Sequence, residues 1–159
     1  MNFFLNLRKN LLWRAIPVAG LAGGAAFLAV GAVLTPLLLQ VNGFIVLRYS
    51  AALVMGDKAL MNPNAVVVLV GLLVHAALSI LFALLIAIII HRWGLRVGVI
   101  GGALLGAALY GINLYTFTVF FQWFFAINSP VLLISHIVYG AVVGGVYESM
   151  DRFDVKGTV

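Results

Sequence analysis

Two histidines are the residues of this chain best suited to chemistry. His75 and His136 each lie in a long apolar run that contains no Asp, Glu, Lys or Arg. An unpaired imidazole in such surroundings costs several kcal/mol, whereas a hydrogen-bonded neutral imidazole is tolerated. Each histidine therefore needs a polar neighbour or a bound group, and its role depends on the elements that place it.

The two histidines leave four alternatives open. In the simplest, both are structural, their hydrogen bonds hold helices in register, and no cofactor is bound. In the second, His75 and His136 ligate haem b from two parallel helices. The third is a pocket for a quinone, a quinol or protons, since histidine titrates near neutral pH, and the fourth is transport of a small solute. No metal site is expected, because no carboxylate accompanies the histidines.

Composition places the chain in a membrane. Hydrophobic residues make up 65% of it and charged residues 8%, against about 25% charged residues in soluble domains. The chain has no cysteine, which excludes disulfides and thiolate metal sites. Its net charge of +5 comes from residues scattered at helix ends without a nucleic-acid-binding motif. We therefore expect the lipid bilayer, and not a nucleic acid, as partner.

Four apolar segments are long enough to cross a membrane as helices. A span needs about 20 apolar residues, and the segments are 15–39, 65–90, 97–125 and 130–149. The first is too long for a signal peptide, whose apolar region has roughly 7–15 residues, so we expect a retained span with residues 2–14 along the membrane surface. The expected fold class is an all-α integral membrane four-helix bundle, formed as one domain by residues 1–159.

The first loop and the basic residues predict the topology. Residues 44–61 are largely apolar but carry Arg48, Asp57 and Lys58, which favours an amphipathic interfacial helix or a shallow re-entrant turn. With both termini cytoplasmic, seven Lys and Arg residues lie on the inner face and two on the outer face. The positive-inside rule favours this orientation. At the inner boundary, His91 is expected to be solvated, Tyr147 to anchor at the interface and Glu148 to belong to an exposed tail.

Stripes of small residues predict which helix faces pack together, because helices in lipid associate through close backbone contact. The glycines concerned are Gly20, Gly24, Gly98, Gly102, Gly106, Gly140 and Gly144. His136 lies four residues before Gly140, Asn113 seven after Gly106, and His75 four before Ser79, so these polar groups share the packed faces. At about 1.5 Å per residue, they fall in the outer half of the bundle. The predicted polar cluster is His75, Ser79, Asn113, Tyr115, Thr116, His136, Tyr139 and Arg48.

Several motifs together resemble a family of small four-span bacterial inner-membrane proteins, distantly similar to the YagU-like family. They are "RYSAALVMG" at 48–56, His75 with Ser79, "NLYTF" at 113–117, Trp123-Phe124, and His136 with Tyr139, Gly140 and Gly144. Some members carry the label of a sodium:proline symporter, although such symporters have more spans and broken helices. The resemblance implies a bacterial inner membrane and no particular mechanism.

The sequence contains no phosphate loop, Gly-x-Ser-x-Gly motif or pair of intramembrane carboxylates, so an enzyme is not expected. We interpret the protein as one that acts through helix packing, as an accessory subunit of a larger membrane complex or as a homo-oligomer. The alternatives are an outer-side redox or quinol site, with haem b between His75 and His136, and a small-solute transporter.

Overall fold

The structure, a computed structural model, describes residues 11–156, with side chains described as far as residue 151. This part of the chain is helical and contains no β-strand. The elements are α1 (Ala15–Leu39), α2 (Ile45–Met55), α3 (Lys58–Met61), α4 (Ala65–Ile90), α5 (Leu95–Phe120), a 3₁₀ helix (Gln122–Ile127) and α6 (Pro130–Lys156). The predicted surface segment at 2–14 lies mostly outside the described residues.

Four of these helices are long and apolar enough to cross a membrane: α1, α4, α5 and the part of α6 from Pro130 to Asp151. The prediction of an all-α four-helix membrane bundle is confirmed. The bounds of α1 and α4 are those expected from the sequence. The prediction of a third span at 97–125 was wrong at its C-terminal end. Helix α5 stops at Phe120, and Phe121 takes non-helical angles (φ −131°, ψ 84°) before the 3₁₀ helix. Large apolar side chains on the outer helix faces, such as Leu37 and Leu104, are exposed to the surrounding lipid.

Helix α6 is the centre of the bundle, because it packs along both α1 and α5. Helix α4 packs mainly against α1 and α2. Although the short turn at 91–94 joins α4 to α5, these two helices make few contacts with each other. We refer to the end of the bundle at this turn as the termini end and to the opposite end as the α2 end. The loose seam between α4 and α5 leaves room for a cleft.

The predicted glycine contacts are confirmed. Glycines of α5 and α6 face each other so closely that a Cβ on Gly102 would overlap the carbonyl of Gly140, and one on Gly106 the carbonyl of His136. In the same row, Gly98 faces Gly144. On the other side of the bundle, Gly20 and Gly24 of α1 lie against Ile80 and Ser79 of α4. These contacts fix the rotation of each helix, and with it the direction of the polar side chains.

The segment after α1 folds back towards the bundle. Gly43 lies against Ala32, about two helical turns before the end of α1. Leu47 of α2 then presses its carbonyl against Gly71, which is buried in α4. Gly56 (φ 80°) ends α2 and separates it from the short α3. The expected helix at 44–61 is therefore two helices, and α2 has the packing expected of the re-entrant alternative.

Three interpretations at the termini end were wrong. Tyr147 is fully buried, and its hydroxyl accepts a hydrogen bond from the Leu12 amide (3.2 Å) and lies 3.0 Å from Nδ1 of His91. His91 is not solvated, since its Nε2 is enclosed by protein. Glu148 is 1% exposed and accepts a hydrogen bond from the Gly94 amide at the start of α5 (2.9 Å). A carboxylate at a helix N-terminus is favoured by the helix dipole, so the part of α6 that carries Glu148 belongs to the bundle and not to an exposed tail.

Candidate functional site

A cleft of about 80 Å³ lies between α4 and α5, in the half of the bundle nearer α2. Helix α2 and the 3₁₀ helix cover it, and α1 and α6 form its floor. Most of its lining is apolar and aromatic. The polar residues that line it are Tyr49, Ser50, His75, Ser79, Tyr110, Asn113, His136 and Tyr139.

His136 and Asn113 form the hydrogen-bond network between α5 and α6. Nδ1 of His136 is 2.8 Å from the Leu132 carbonyl, one turn earlier in α6. Because a carbonyl only accepts, Nδ1 carries the proton and Nε2 of the neutral ring is an acceptor. Nδ2 of Asn113 lies 3.3 Å from that Nε2 and donates to it. The backbone carbonyl thus fixes both the tautomer of His136 and the orientation of the Asn113 amide.

His75 is held by α1 in the same manner. Its Nε2 is 3.1 Å from the carbonyl of Gly24 and donates to it, which leaves Nδ1 of the neutral ring as an acceptor. The absence of a side chain at Gly24 makes this approach feasible, since a Cβ there would lie 2.6 Å from the Ser79 hydroxyl and 3.3 Å from Nε2 of His75. The Tyr139 hydroxyl donates to the carbonyl of Ser79 (2.5 Å) and ties α6 to α4.

Phe27 brings the two imidazoles into one site. The centroid of its ring is 5.3 Å from that of His75 and 5.0 Å from that of His136, the second contact being edge-to-face. Tyr110 contacts His136 from α5 (5.8 Å between centroids), and its hydroxyl donates to the side chain of Asn128. The histidines are therefore packed among aromatic rings and do not face lipid.

Five polar atoms of the site have no hydrogen-bond partner in the described part of the chain: Nδ1 of His75, Oδ1 of Asn113 and the hydroxyls of Tyr49, Ser50 and Ser79. The buried polar side-chain atoms without a partner that are sealed off by protein are His91 Nε2 and Glu148 Oε1, both at the termini end. The free polar atoms of the cleft-lining residues are not among these enclosed atoms. The site offers two fixed acceptors and three hydroxyls.

Part of the predicted cluster does not reach the cleft. Tyr115 is 68% exposed, and Thr116 is exposed as well, because both lie on the outer face of α5. Arg48 points to the other side of α2, where its guanidinium approaches the carbonyl of Leu60 (3.4 Å). The structure brings together His75, Ser79, Asn113, Tyr139 and His136, and it leaves out Arg48, Tyr115 and Thr116.

The aromatic part of the site was missed in the sequence. Four aromatic residues line the cleft: Phe27, Tyr49, Tyr110 and Phe124. Aromatic residues are common throughout these apolar helices, so the sequence alone does not distinguish these four from the others. Tyr49 of α2 packs against Trp123 and Phe124. Burial raises the pKa of Tyr49 above its usual value of 10.0.

The site does not fit haem b. Phe27 contacts both imidazoles, and a macrocycle held between them would have to displace this ring. Nε2 of His136, the nitrogen not bound to the Leu132 carbonyl, already accepts a hydrogen bond from Asn113. The cleft of about 80 Å³ is also far below the roughly 300–1,000 Å³ of sites for drug-sized ligands. The geometry suits one small ring or head group.

A second cleft of about 160 Å³ adjoins the first at Phe27, Tyr49 and Leu132. It lies between α1 and α6 under the start of α2, and it is lined by Thr35 and Ser135 among other residues. The polar site is therefore close to the α2 end of the bundle. No protein-family model, curated protein or solved structure matches this chain.

Proposed function

We propose that the protein is a non-enzymatic membrane protein that binds a small lipophilic molecule in the cleft between α4 and α5. The observation that carries the proposal is the combination of an open, largely apolar cleft with free polar atoms on His75, Ser79 and Asn113. Ligand pockets typically pair an apolar wall with a few oriented polar groups. A purely structural network would be expected to satisfy those atoms within the protein, because unpaired polar groups are costly in a membrane.

The route to the cleft supports a ligand that arrives from the bilayer. Helices α4 and α5 make few contacts with each other, so the seam between them is loosely closed. Leu81 of α4 and Ile112 of α5 are about half exposed, so both helices present apolar side chains to lipid. A lipophilic molecule can therefore reach His75 and Asn113 laterally without crossing the bundle.

Filling the cleft tests this proposal. Val46 of α2 lines the cleft, whereas Val54 of the same helix is 68% exposed. We expect the single-ring probe 4-propylphenol to bind saturably to the protein in nanodiscs, as measured by titration calorimetry against empty nanodiscs. Binding should be lost in Val46→Phe and kept in Val54→Phe. Heat no greater than that of empty nanodiscs, or equal binding by the two variants, would refute the proposal.

The proposed location is a bacterial inner membrane with both termini in the cytoplasm. The family resemblance supports the membrane, and the excess of Lys and Arg at the termini end supports the orientation. With this orientation the cleft lies in the outer leaflet. Labelling of single cysteines introduced at Asp57 and Arg92 in intact cells would test it, and only the residue-57 cysteine should react with an impermeant reagent.

A role as accessory subunit is the second candidate, and a glycine on α5 favours it. Gly111 has open space where a Cβ would be, unlike the glycines that pack α5 against α6. It lies beside exposed Ala108 and Ile112, and small residues of this kind let a second helix approach closely. Native mass spectrometry from mild detergent should then detect a larger complex that Gly111→Leu disrupts. A wild-type species of monomer mass alone would count against this candidate.

A further inference from the structure

The hydrogen bonds around the cleft specify more about the ligand than its size, on the premise that the proposed binding function is correct. We infer that the ligand presents a hydroxyl hydrogen-bond donor, as a phenol or quinol does, to His75 and Asn113. The inference rests on which atoms of the site remain free and on what each of them is able to do.

Hydrogen bonds to the backbone fix which ring nitrogen of each histidine donates and which accepts. The carbonyls of Gly24 and Leu132 accept from Nε2 of His75 and Nδ1 of His136. The remaining nitrogen of each neutral ring is then an acceptor. On His136 this acceptor is taken by the Asn113 amide. On His75 it has no partner in the described chain.

The hydrogen bond to His136 also fixes the orientation of the Asn113 side-chain amide. Because its Nδ2 donates to His136, its Oδ1 is directed elsewhere and has no partner among the described residues. The cleft therefore offers acceptors on α4 and on α5, one at each side of the seam. The hydroxyls of Tyr49, Ser50 and Ser79 are able to donate or accept, so they add no preference. A ligand that only accepts hydrogen bonds would leave both acceptors unpaired.

The fit of a hydroxyl on an aromatic ring follows from the neighbouring side chains. Phe27, Tyr110 and Phe117 line the same cleft as the two free acceptors. Aromatic rings pack favourably in offset or edge-to-face geometry, and the volume of about 80 Å³ matches a head group of one ring. A quinone, whose ring carbonyls only accept, fits these atoms less well than the corresponding quinol.

A pair of probes that differ in one hydrogen-bond donor tests the inference. We compare 4-propylphenol with its methyl ether, 4-propylanisole, by titration of the wild-type protein in nanodiscs. The phenol should bind about tenfold more tightly, because loss of the donor leaves a buried acceptor unpaired. Equal affinities, or tighter binding of the ether, would overturn the inference while leaving the proposed cleft intact. Absence of saturable binding by both probes would overturn the proposed function and the inference together.

A pair of variants locates the effect. Asn113→Leu alone would free the acceptor Nε2 of His136, so the test variant is Asn113→Leu/His136→Phe, and Thr116→Val on the exposed face of α5 is the control. The preference for phenol over ether should shrink in Asn113→Leu/His136→Phe and persist in Thr116→Val. A preference unchanged in the double variant would contradict the assignment of Asn113 as acceptor. The comparison of probes in the wild-type protein stands even if a variant fails to fold.

Discussion

Asn113 of α5 donates a hydrogen bond to Nε2 of His136 of α6 across 3.3 Å. The two residues are 23 positions apart in the chain, and the close approach of Gly106 to the backbone of His136 brings them together. The polar contact therefore depends on the glycine packing, and the packing is the first property to test.

Gly102→Ala should destabilise the bundle, whereas Gly111→Ala should not. A Cβ at Gly102 would overlap the carbonyl of Gly140, and one at Gly111 would meet open space. Forcing α5 and α6 apart should lower the free energy of unfolding by about 1–3 kcal/mol. Unfolding titrations in mixed detergent micelles measure this quantity. Equal stability of the two variants would show that α5 and α6 are not in backbone contact.

Gly24→Ala should be rescued by a second substitution on α4. The new methyl group would lie 2.6 Å from the Ser79 hydroxyl and 3.0 Å from its Cβ, so Ser79→Gly should make room for it. The double variant should be more stable than the sum of the single effects by roughly 0.5–3 kcal/mol, the range for residues in contact. If the two substitutions change the free energy of unfolding in a strictly additive way, Gly24 of α1 and Ser79 of α4 are not in contact.

Tyr147→Phe should destabilise the protein more than Tyr115→Phe. Tyr147 is buried and its hydroxyl bonds the Leu12 amide, while Tyr115 is 68% exposed. Leaving a buried amide unpaired costs about 1–3 kcal/mol, and a lipid-facing hydroxyl has no such partner to lose. Thermal unfolding of the two variants side by side measures the difference. A larger loss in Tyr115→Phe would restore the interpretation of Tyr147 as an interface anchor.

Tyr49 of α2 should lose its hydroxyl proton at a higher pH than a solvated tyrosine does. Burial raises the pKa of Tyr49 above 10.0, so its neutral form is favoured in the folded state. Its contribution to stability is therefore present below pH 10 and is lost as the pH rises through the raised pKa. The phenolate absorbance of the wild type minus that of Tyr49→Phe should show a midpoint above pH 10. A midpoint at or below that pH would mean that α2 does not cover the cleft.

The architecture was largely predictable from the sequence, because apolar length and glycine spacing are local signals. Runs such as 65–90 identify a span by length alone, and Gly140 four residues after His136 identifies the packed face. The end of α5 was not predictable in this way. The apolar pattern continues through Phe120 and Trp123, and the 3₁₀ helix that follows α5 packs Trp123 against Tyr49 of α2, a contact distant in sequence.

The site was predictable only in part. His75, Ser79, Asn113, Tyr139 and His136 share faces with small residues, and the structure brings them together. Tyr115 and Thr116 follow Asn113 in sequence but lie about 200° and 300° further round the helix, where both side chains are exposed. Glu148 was misread because charge near a terminus usually marks a solvated tail, whereas the Gly94 amide that it caps is 54 residues away.

The hydrogen bonds of the two histidines are tested most directly by a nitrogen-15 spectrum of the histidine side chains in lipid bilayers. We expect a proton on Nε2 of His75, a proton on Nδ1 of His136 and a through-space correlation between the Asn113 side-chain amide and the His136 ring. Asn113→Leu should abolish the correlation and leave the tautomer of His75 unchanged. The same tautomer in both rings, or no correlation with Asn113, would contradict the proposed arrangement of the site.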